Sequence, residues 1–543
     1  MQNTRKRAWS LFYAGFVAGL AALAFNFFLR IESLAPFPPE SAIAAFISVV
    51  PASIEEPMVQ HFGELAGELG LGVATVIAAA VYGVLFVLFD RYVAPRLKSL
   101  PLSSFEVLLS LSLMPWVLFG IVLFPLTGGS LFGSSVASAT ASSIWTYPLT
   151  LLLVQGVFAL VLAPRFKAEF RAPSPMAAGP APVFGKTRRE FIEKGTIGFL
   201  AVIAGLLGLS NLGSIFSSQI QPSGGSLPID LQNSPAIFSD PRLKLLVDSE
   251  VTPNDSFYRV AIDIIDPAVD VAGWSLAVDG LVNAPKKYGL QDIQALPVSS
   301  RYTTLECVSN QINGALISNA NWKGVKLSDL FADAGSVKAG AQYVVFYSVD
   351  GYSVGIPLER AMLPDSIIAY GMNDQPLPVK HGYPLRGVIP GLYGMMSAKW
   401  VNRISILGSD YLGYWQTRGW TNDAEVNTVA FIVIPETGSQ VSVSNGGGSI
   451  LLAGYAFAGD RGISKVELSF DDGKTWQQAQ LKKPLSNLTW ALWAYEWSPP
   501  TKGEAFIYVR ATDGNGQPQT SDVSDTFPNG ATGYAFVTIN VAD

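Results

Sequence analysis

Residues 303–310 read TTLECVSN and hold Cys307, the one cysteine among 543 residues. A lone cysteine forms no disulfide within its own chain. It is either a small buried hydrophobe or a thiolate placed for reaction or metal binding. The same count excludes a disulfide framework and an iron–sulfur cluster held by this chain. What surrounds the cysteine decides between the two readings.

The stretch around it, 246–424, mixes β-rich runs such as YVVFYSV (343–349) with short amphipathic pieces such as LSDLFADAG, and turn residues are frequent. That pattern predicts an α+β core. Within it, KHGYPLRGVIPGLYGMMSAKW (380–400) places His381, Arg386 and Lys399 among four glycines. Cationic donors suit a phosphate, and glycines let backbone amides approach a ligand closely. Taken alone, the same segment also reads as a loop with solvated charges. Further on, 425–543 alternates in short strands, for example GYAFVTINVA (533–542), separated by Asp-Gly and Pro-Pro turns. The spacing predicts an immunoglobulin-like β-sandwich. Trp476, Trp490, Trp493 and Trp497 read as its core or as a dimer interface.

The first 216 residues differ in kind. Five apolar runs, at 10–29, 71–89, 107–126, 144–163 and 196–216, are long enough to cross a bilayer, which needs roughly 20 residues each. The piece 41–54 is shorter, contains Pro51, and reads as interfacial or re-entrant. Basic residues precede the first run and follow the second and fourth, whereas the other loops are nearly free of them. The N-terminus is therefore expected inside, and everything after the fifth run outside. Residues 217–245, rich in Ser, Pro and Gly, read as a linker. TRREFIEKG (187–195) resembles a twin-arginine export signal, although positive-inside charge alone accounts for it. The runs hold almost no ionisable residues, which fits an anchor better than a transporter.

Composition excludes other classes. The formal charge is −6, charged residues are 14% and hydrophobic residues 49%, with no basic stripe, so no nucleic acid is expected. The two histidines, His61 and His381, lie outside the apolar runs and no CxxCH occurs, so no haem is expected in this chain.

Several separated motifs converge on one family. TPNDSFYR (252–259), TTLECVSN (303–310), IPLERAM (356–362), YGMNDQPLPVKHGYPLRGVIPGLYG (370–394) and SAKWVNRI (397–404) occur in order. The stretch 246–543 resembles the molybdopterin-binding core of the sulfite oxidase family, followed by that family's immunoglobulin-like dimerisation domain. The resemblance implies a molybdenum–molybdopterin cofactor with Cys307 as the metal ligand. It implies that Phe257, Tyr258, Arg259, Asn310, His381, Arg386, Ser397, Ala398 and Lys399 bind the cofactor. Cys307, Arg259 and Trp420 are the residues expected in catalysis. A thiolate is the soft ligand such a metal accepts.

The departures matter as much. Where sulfite oxidases follow the cysteine with Ala-Gly-Asn-Arg-Arg, this chain has Val308, Ser309, Asn310, Gln311 and Ile312. A further arginine aligns with Met396, and the active-site tyrosine aligns with Trp420. Sulfite is therefore not favoured, and a less charged small-molecule substrate or a reductase direction is equally open.

The expectation is a membrane-anchored, extracytoplasmic molybdenum oxidoreductase doing two-electron oxygen-atom transfer. It comprises an all-α transmembrane region, an α+β core and an all-β sandwich. It contacts membrane lipid, exchanges electrons with a separate cytochrome or quinone, and could form a homodimer. The competing expectation is a cell-surface interaction or scaffold protein with an inactive core.

Overall fold

The computed structural model describes residues 2–31, 37–40, 42–43, 64–98, 104–126, 143–169, 234–262, 266–267, 269–442 and 449–542. The chain forms two compact units, one helical and one rich in strands.

In the helical unit, apolar side chains run all round the helices, with exposed apolar residues such as Trp9, Phe28, Val73 and Ile77 on their outer faces. Gln2–Ile31 packs against Glu64–Leu88 at close range. A Cβ on Gly19 would lie 2.5 Å from that of Tyr82, so the small residue sets the helix spacing. The Tyr82 hydroxyl donates to Gln155 Oε1 at 2.8 Å, joining Glu64–Leu88 to Ser143–Glu169. Arg30 and Glu40 form a buried two-pronged ion pair at 2.8 and 3.0 Å.

The expectation of five crossings is not matched. Among the described residues, three helical segments are long and apolar enough to cross a membrane: Lys6–Arg30, Gly70–Leu97 and Leu109–Leu126. The fourth run does lie in a helix, Ser143–Glu169. The part of it whose side chains are described, Tyr147–Leu162, is apolar but shorter than a crossing. The fifth run, the export-like motif and most of the 41–54 piece lie outside the described residues. So does the expected linker up to residue 233. From 236 onward the chain is folded, with two 3-10 turns, Ala236–Ser239 and Pro241–Leu243, that bury Phe238 and Leu243.

In the second unit, two sheets form the core. One runs in the order Lys286–Tyr288, Leu276–Gly280, Val401–Leu407, Tyr343–Ser348, Ser353–Pro357. The other runs Val298–Glu306, Ile317–Lys326, Ile367–Met372, Gln375–Pro376, and Arg386–Val388 also pairs with Ile367–Met372. All six residues of Ile367–Met372 are buried, the signature of a strand covered on both faces.

A four-stranded and a five-stranded sheet make the sandwich. Its last strand, Ala535–Ala542, buries every second residue; alternation with period two puts one face on the core. Trp493, Leu452, Leu468, Val509 and Val537 fill that core, and each buried side chain contributes roughly 1.5–3 kcal/mol.

Candidate active site

The second sheet delivers the cysteine. Strand Val298–Glu306 becomes continuously buried from Thr303, and Cys307 follows its last residue. A tight loop then returns the chain. Cys307 N–H donates to Leu316 O (2.9 Å), Asn310 N–H to Cys307 O (3.0 Å), and Leu316 N–H to Asn310 Oδ1 (2.9 Å). The Asn310 amide also donates to Glu306 Oε1 at 2.9 Å. Asn310 thus braces the loop with both ends of its side chain.

Cys307 is buried, and its Sγ lies 3.1 Å from Ser309 Oγ. Burial pushes the thiol up, with the Ser309 hydrogen bond opposing. Without metal the group is a thiol at neutral pH, and metal binding would displace its proton. Burial pushes the neighbouring Glu306 carboxyl up to about 8.

Three tyrosines surround the thiol. Tyr258, Tyr352 and Tyr393 are raised chiefly by burial, and Cys307 contributes to each. Tyr258 is fixed by its N–H to Ser318 Oγ (3.1 Å) and by stacking on Phe257 (5.4 Å). A Cβ on Gly394 would collide with its hydroxyl, so that glycine makes room for the ring. Tyr352 donates to Met395 O at 2.6 Å.

Behind the tyrosines lies a cationic wall. The Phe257 ring meets His381 edge-on at 5.3 Å and Trp322 at 5.5 Å. Arg386, in strand Arg386–Val388, is buried 5.1 Å from the Trp322 ring centroid, a cation–π placement. Burial lowers it to about 10. His381 is fully buried, and its Nε2 lies 2.7 Å from Asn254 O. A carbonyl can only accept, so Nε2 carries the proton. Burial, reinforced by Arg386, Lys380 and Lys399, lowers His381 to about 3. Lys399 Nζ donates to Lys380 O (3.2 Å) and sits 4.2 Å from the Trp400 ring centroid.

Two buried atoms in this wall, Arg386 Nε and His381 Nδ1, have no partner among the described residues. Such orphans are costly unless a ligand satisfies them. Arg386 Nε is a donor suited to an anionic oxygen. Neutral His381 Nδ1 is an acceptor, which suits a ring N–H better than a phosphate oxygen. With a soft sulfur ligand in front, the wall fits a heterocyclic, phosphate-bearing metal cofactor.

The remaining expected residues sit differently. Ser397 Oγ accepts from Ile389 N–H (3.1 Å), and Ala398 O from Gly387 N–H (2.8 Å); both are buried beside Arg386–Val388. Arg259 follows Tyr258 at a partly exposed position. Trp420 is buried in an aromatic group with Trp415 (6.5 Å) and Phe527 (5.2 Å), and its Nε1 has no partner among the described residues. Met396 is fully buried, with Gln416 Nε2 3.5 Å from its Sδ. Arg418 is turned away onto Tyr414: it donates to that carbonyl at 2.7 Å and stacks 3.6 Å from the ring centroid. Sequence reasoning missed Glu306, Tyr393 and Trp322. Tyr393 lay within the GLYG motif, whereas nothing in the sequence around Trp322 marked it.

A buried lone thiol before such a wall is an arrangement that can hold an anionic cofactor. Comparison with known proteins gives it a family. Residues 263–415 match the oxidoreductase molybdopterin binding domain, and 418–525 match the Mo-co oxidoreductase dimerisation domain. "Uncharacterized oxidoreductase YuiH" of Bacillus subtilis (strain 168) is 34% identical over 151 residues, 28% of this chain and 74% of that protein. Mitochondrial sulfite oxidase of Rattus norvegicus is 30% identical over 328 residues, 52% of this chain; the chain spans 60% of that protein's length. Sulfite oxidase of Arabidopsis thaliana is 28% identical, over 57% of this chain and 92% of its own. The chain belongs to the sulfite oxidase-type family of molybdopterin-dependent oxidoreductases. The family implies a molybdenum–molybdopterin cofactor, which the donor set fits.

Proposed function

We propose that the protein is a membrane-anchored molybdenum oxidoreductase that transfers an oxygen atom, with two electrons, to or from a small and weakly charged substrate. When bound, the cofactor supplies the two-electron redox centre. Cys307 would give it a thiolate. Arg386, His381 and Lys399 would hold its pterin and phosphate, with Phe257, Tyr258, Arg259, Ser397 and Ala398 around them. The buried Tyr352 and Tyr393, with the partly buried Tyr258, would exclude water from the sulfur side.

One observation carries the reading: the lone thiol is buried in front of Arg386 and His381, each with an unpartnered buried nitrogen. The weakly charged substrate follows from the other side of the thiol. Met396 and Trp420 stand where the family pattern has an arginine and a tyrosine, and Arg418 is engaged with Tyr414. An anion there would lack the bidentate hold that arginine gives.

The apolar helices and the loop charges support an anchor in the cytoplasmic membrane, with the N-terminus inside and the strand-rich unit on the extracytoplasmic face. Electrons would pass to or from a separate cytochrome or quinone. The dimerisation-domain match supports a homodimer through 425–543. Metal analysis of the full chain, made in a host that synthesises the cofactor, tests the core of the proposal. About one molybdenum per chain is expected, with Mo(V) signals after titration with neutral oxo-substrates. Molybdenum well below stoichiometric would overturn it.

A further inference from the structure

The strand that delivers Cys307 is an edge strand of its sheet, so its outer row of backbone groups has no partner strand. The sandwich closes that edge. Thr304 N–H donates to Leu488 O (3.0 Å), Trp490 N–H donates to Thr304 Oγ1 (3.0 Å), and Ser486 Oγ donates to Tyr302 O (2.8 Å). Residues 486–490 lie between the sandwich strands Gln480–Leu481 and Ala491–Trp497.

A second tie lies on the other side of the cysteine. Ile312 packs against the sandwich core, and Asn313 Nδ2 donates to Phe536 O at 3.2 Å. Asn313 has φ +63°, a left-handed conformation that asparagine tolerates better than most residues. Between the ties, the hydrogen bonds of Asn310 and Leu316 make the loop one piece.

We propose that the sandwich is a positioning element of the active site. Thr304 on one side, and Ile312 with Asn313 on the other, fix where the Cys307 sulfur stands. The proposal rests on the reading of Cys307 as the metal ligand, and it adds a consequence for specificity. Ile312 occupies a slot where the family pattern has an arginine, but its side chain is committed to packing between the core and the sandwich. Restoring an arginine there would break a tie rather than supply an anion hold.

The test uses the full chain, with and without cofactor, and the variants Thr304→Val, Thr304→Ser, Asn313→Ala and Ile312→Arg. In the cofactor-free protein, iodoacetamide should alkylate Cys307 on the order of 10-fold faster in Thr304→Val and Asn313→Ala, because local opening exposes the thiol. Thr304→Ser keeps the acceptor oxygen and should restore the slow rate. In the loaded protein, Thr304→Val and Asn313→Ala should shift the Mo(V) resonance at unchanged metal content. Wild-type alkylation rates and resonance in folded Thr304→Val and Asn313→Ala would overturn the proposal. So would an Ile312→Arg protein that binds sulfite 10-fold tighter while its thiol stays as slow as wild type. Wild-type protein lacking molybdenum would sink the proposed function alone, because the alkylation arm needs no metal.

Discussion

The two sides of Cys307 are built on opposite principles. Behind it stand His381, Arg386, Lys380 and Lys399, cationic or donor groups of which Lys380 pairs with Asp255 at 3.5 Å, while burial and these cations hold His381 neutral. Met396, Gln416 and Trp420, all buried and all uncharged, form the group that the proposed function puts on the substrate side. Both sides come from the same segments of chain, since Arg386 and Met396 are ten residues apart. On the proposed reading the contrast separates two jobs: the wall would hold the cofactor, and the uncharged group would select the substrate.

The harshest way to break that contrast is to remove what both sides share. Cys307→Ser replaces a soft ligand by a hard one. Turnover should vanish, and the sulfur-derived features of the molybdenum absorption spectrum should go with it. A serine variant with wild-type turnover would mean that the two sides flank something other than a metal ligand.

Next in size is the wall. Arg386→Met removes a buried cation whose Nε faces an unfilled requirement. Losing one partner of a buried charged contact costs about 2–5 kcal/mol, so cofactor retention after dialysis should fall ~30-fold or more. Arg386→Lys should rescue little, because a point charge does not replace a planar fork. Unchanged molybdenum content in Arg386→Met would remove Arg386 from the cofactor side.

How far the sequence reached follows the same divide. The wall was legible because its residues cluster in one run, 380–400, and because chemistry restricts what can hold a phosphate. The cysteine's neighbours were less so. Asn310 reads as a cofactor residue from its slot, yet its amide is occupied by Glu306 and Leu316. Trp322 meets Phe257 edge-on and carries Arg386 over its ring, and only the pairing of Val298–Glu306 with Ile317–Lys326 brings it there. Apolar runs were legible as helices, since the first four of them each fall in a helical segment. The ties from the sandwich to the cysteine loop were invisible, since a backbone acceptor such as Phe536 O leaves no mark on residue type.

The front gives a smaller but more informative effect. Met396→Arg restores a cation in a buried slot beside Gln416. A charge-assisted hydrogen bond is worth about 1.5–3 kcal/mol, so the KM for sulfite should fall ~10- to 100-fold with kcat little changed. Met396→Gln, similar in size but neutral, should leave it alone. If both variants behave alike, charge at this slot does not select the substrate, and the contrast between the two sides is confined to the wall.

The smallest effect tests whether an anion fills the wall. In the unfolded chain His381 titrates near 6.5, whereas in the fold burial and its cationic neighbours hold it at about 3. Between those values the unfolded state binds the extra proton, so stability rises with pH across that window. The contribution is complete above about 6.5 and is lost progressively on acidification toward 3. Glu306, held up to about 8 by burial, contributes the opposite slope over the same window, so the His381 contribution is read as a difference between two proteins: in the cofactor-free full chain in detergent, the melting temperature of the wild type relative to His381→Gln should climb from pH 5 to 6.5. In the loaded protein a phosphate near the wall would offset the three cations and raise the His381 value, so the climb should be shallower than without cofactor. Equal slopes with and without cofactor would place the phosphate away from His381 and leave Arg386 and Lys399 to hold it.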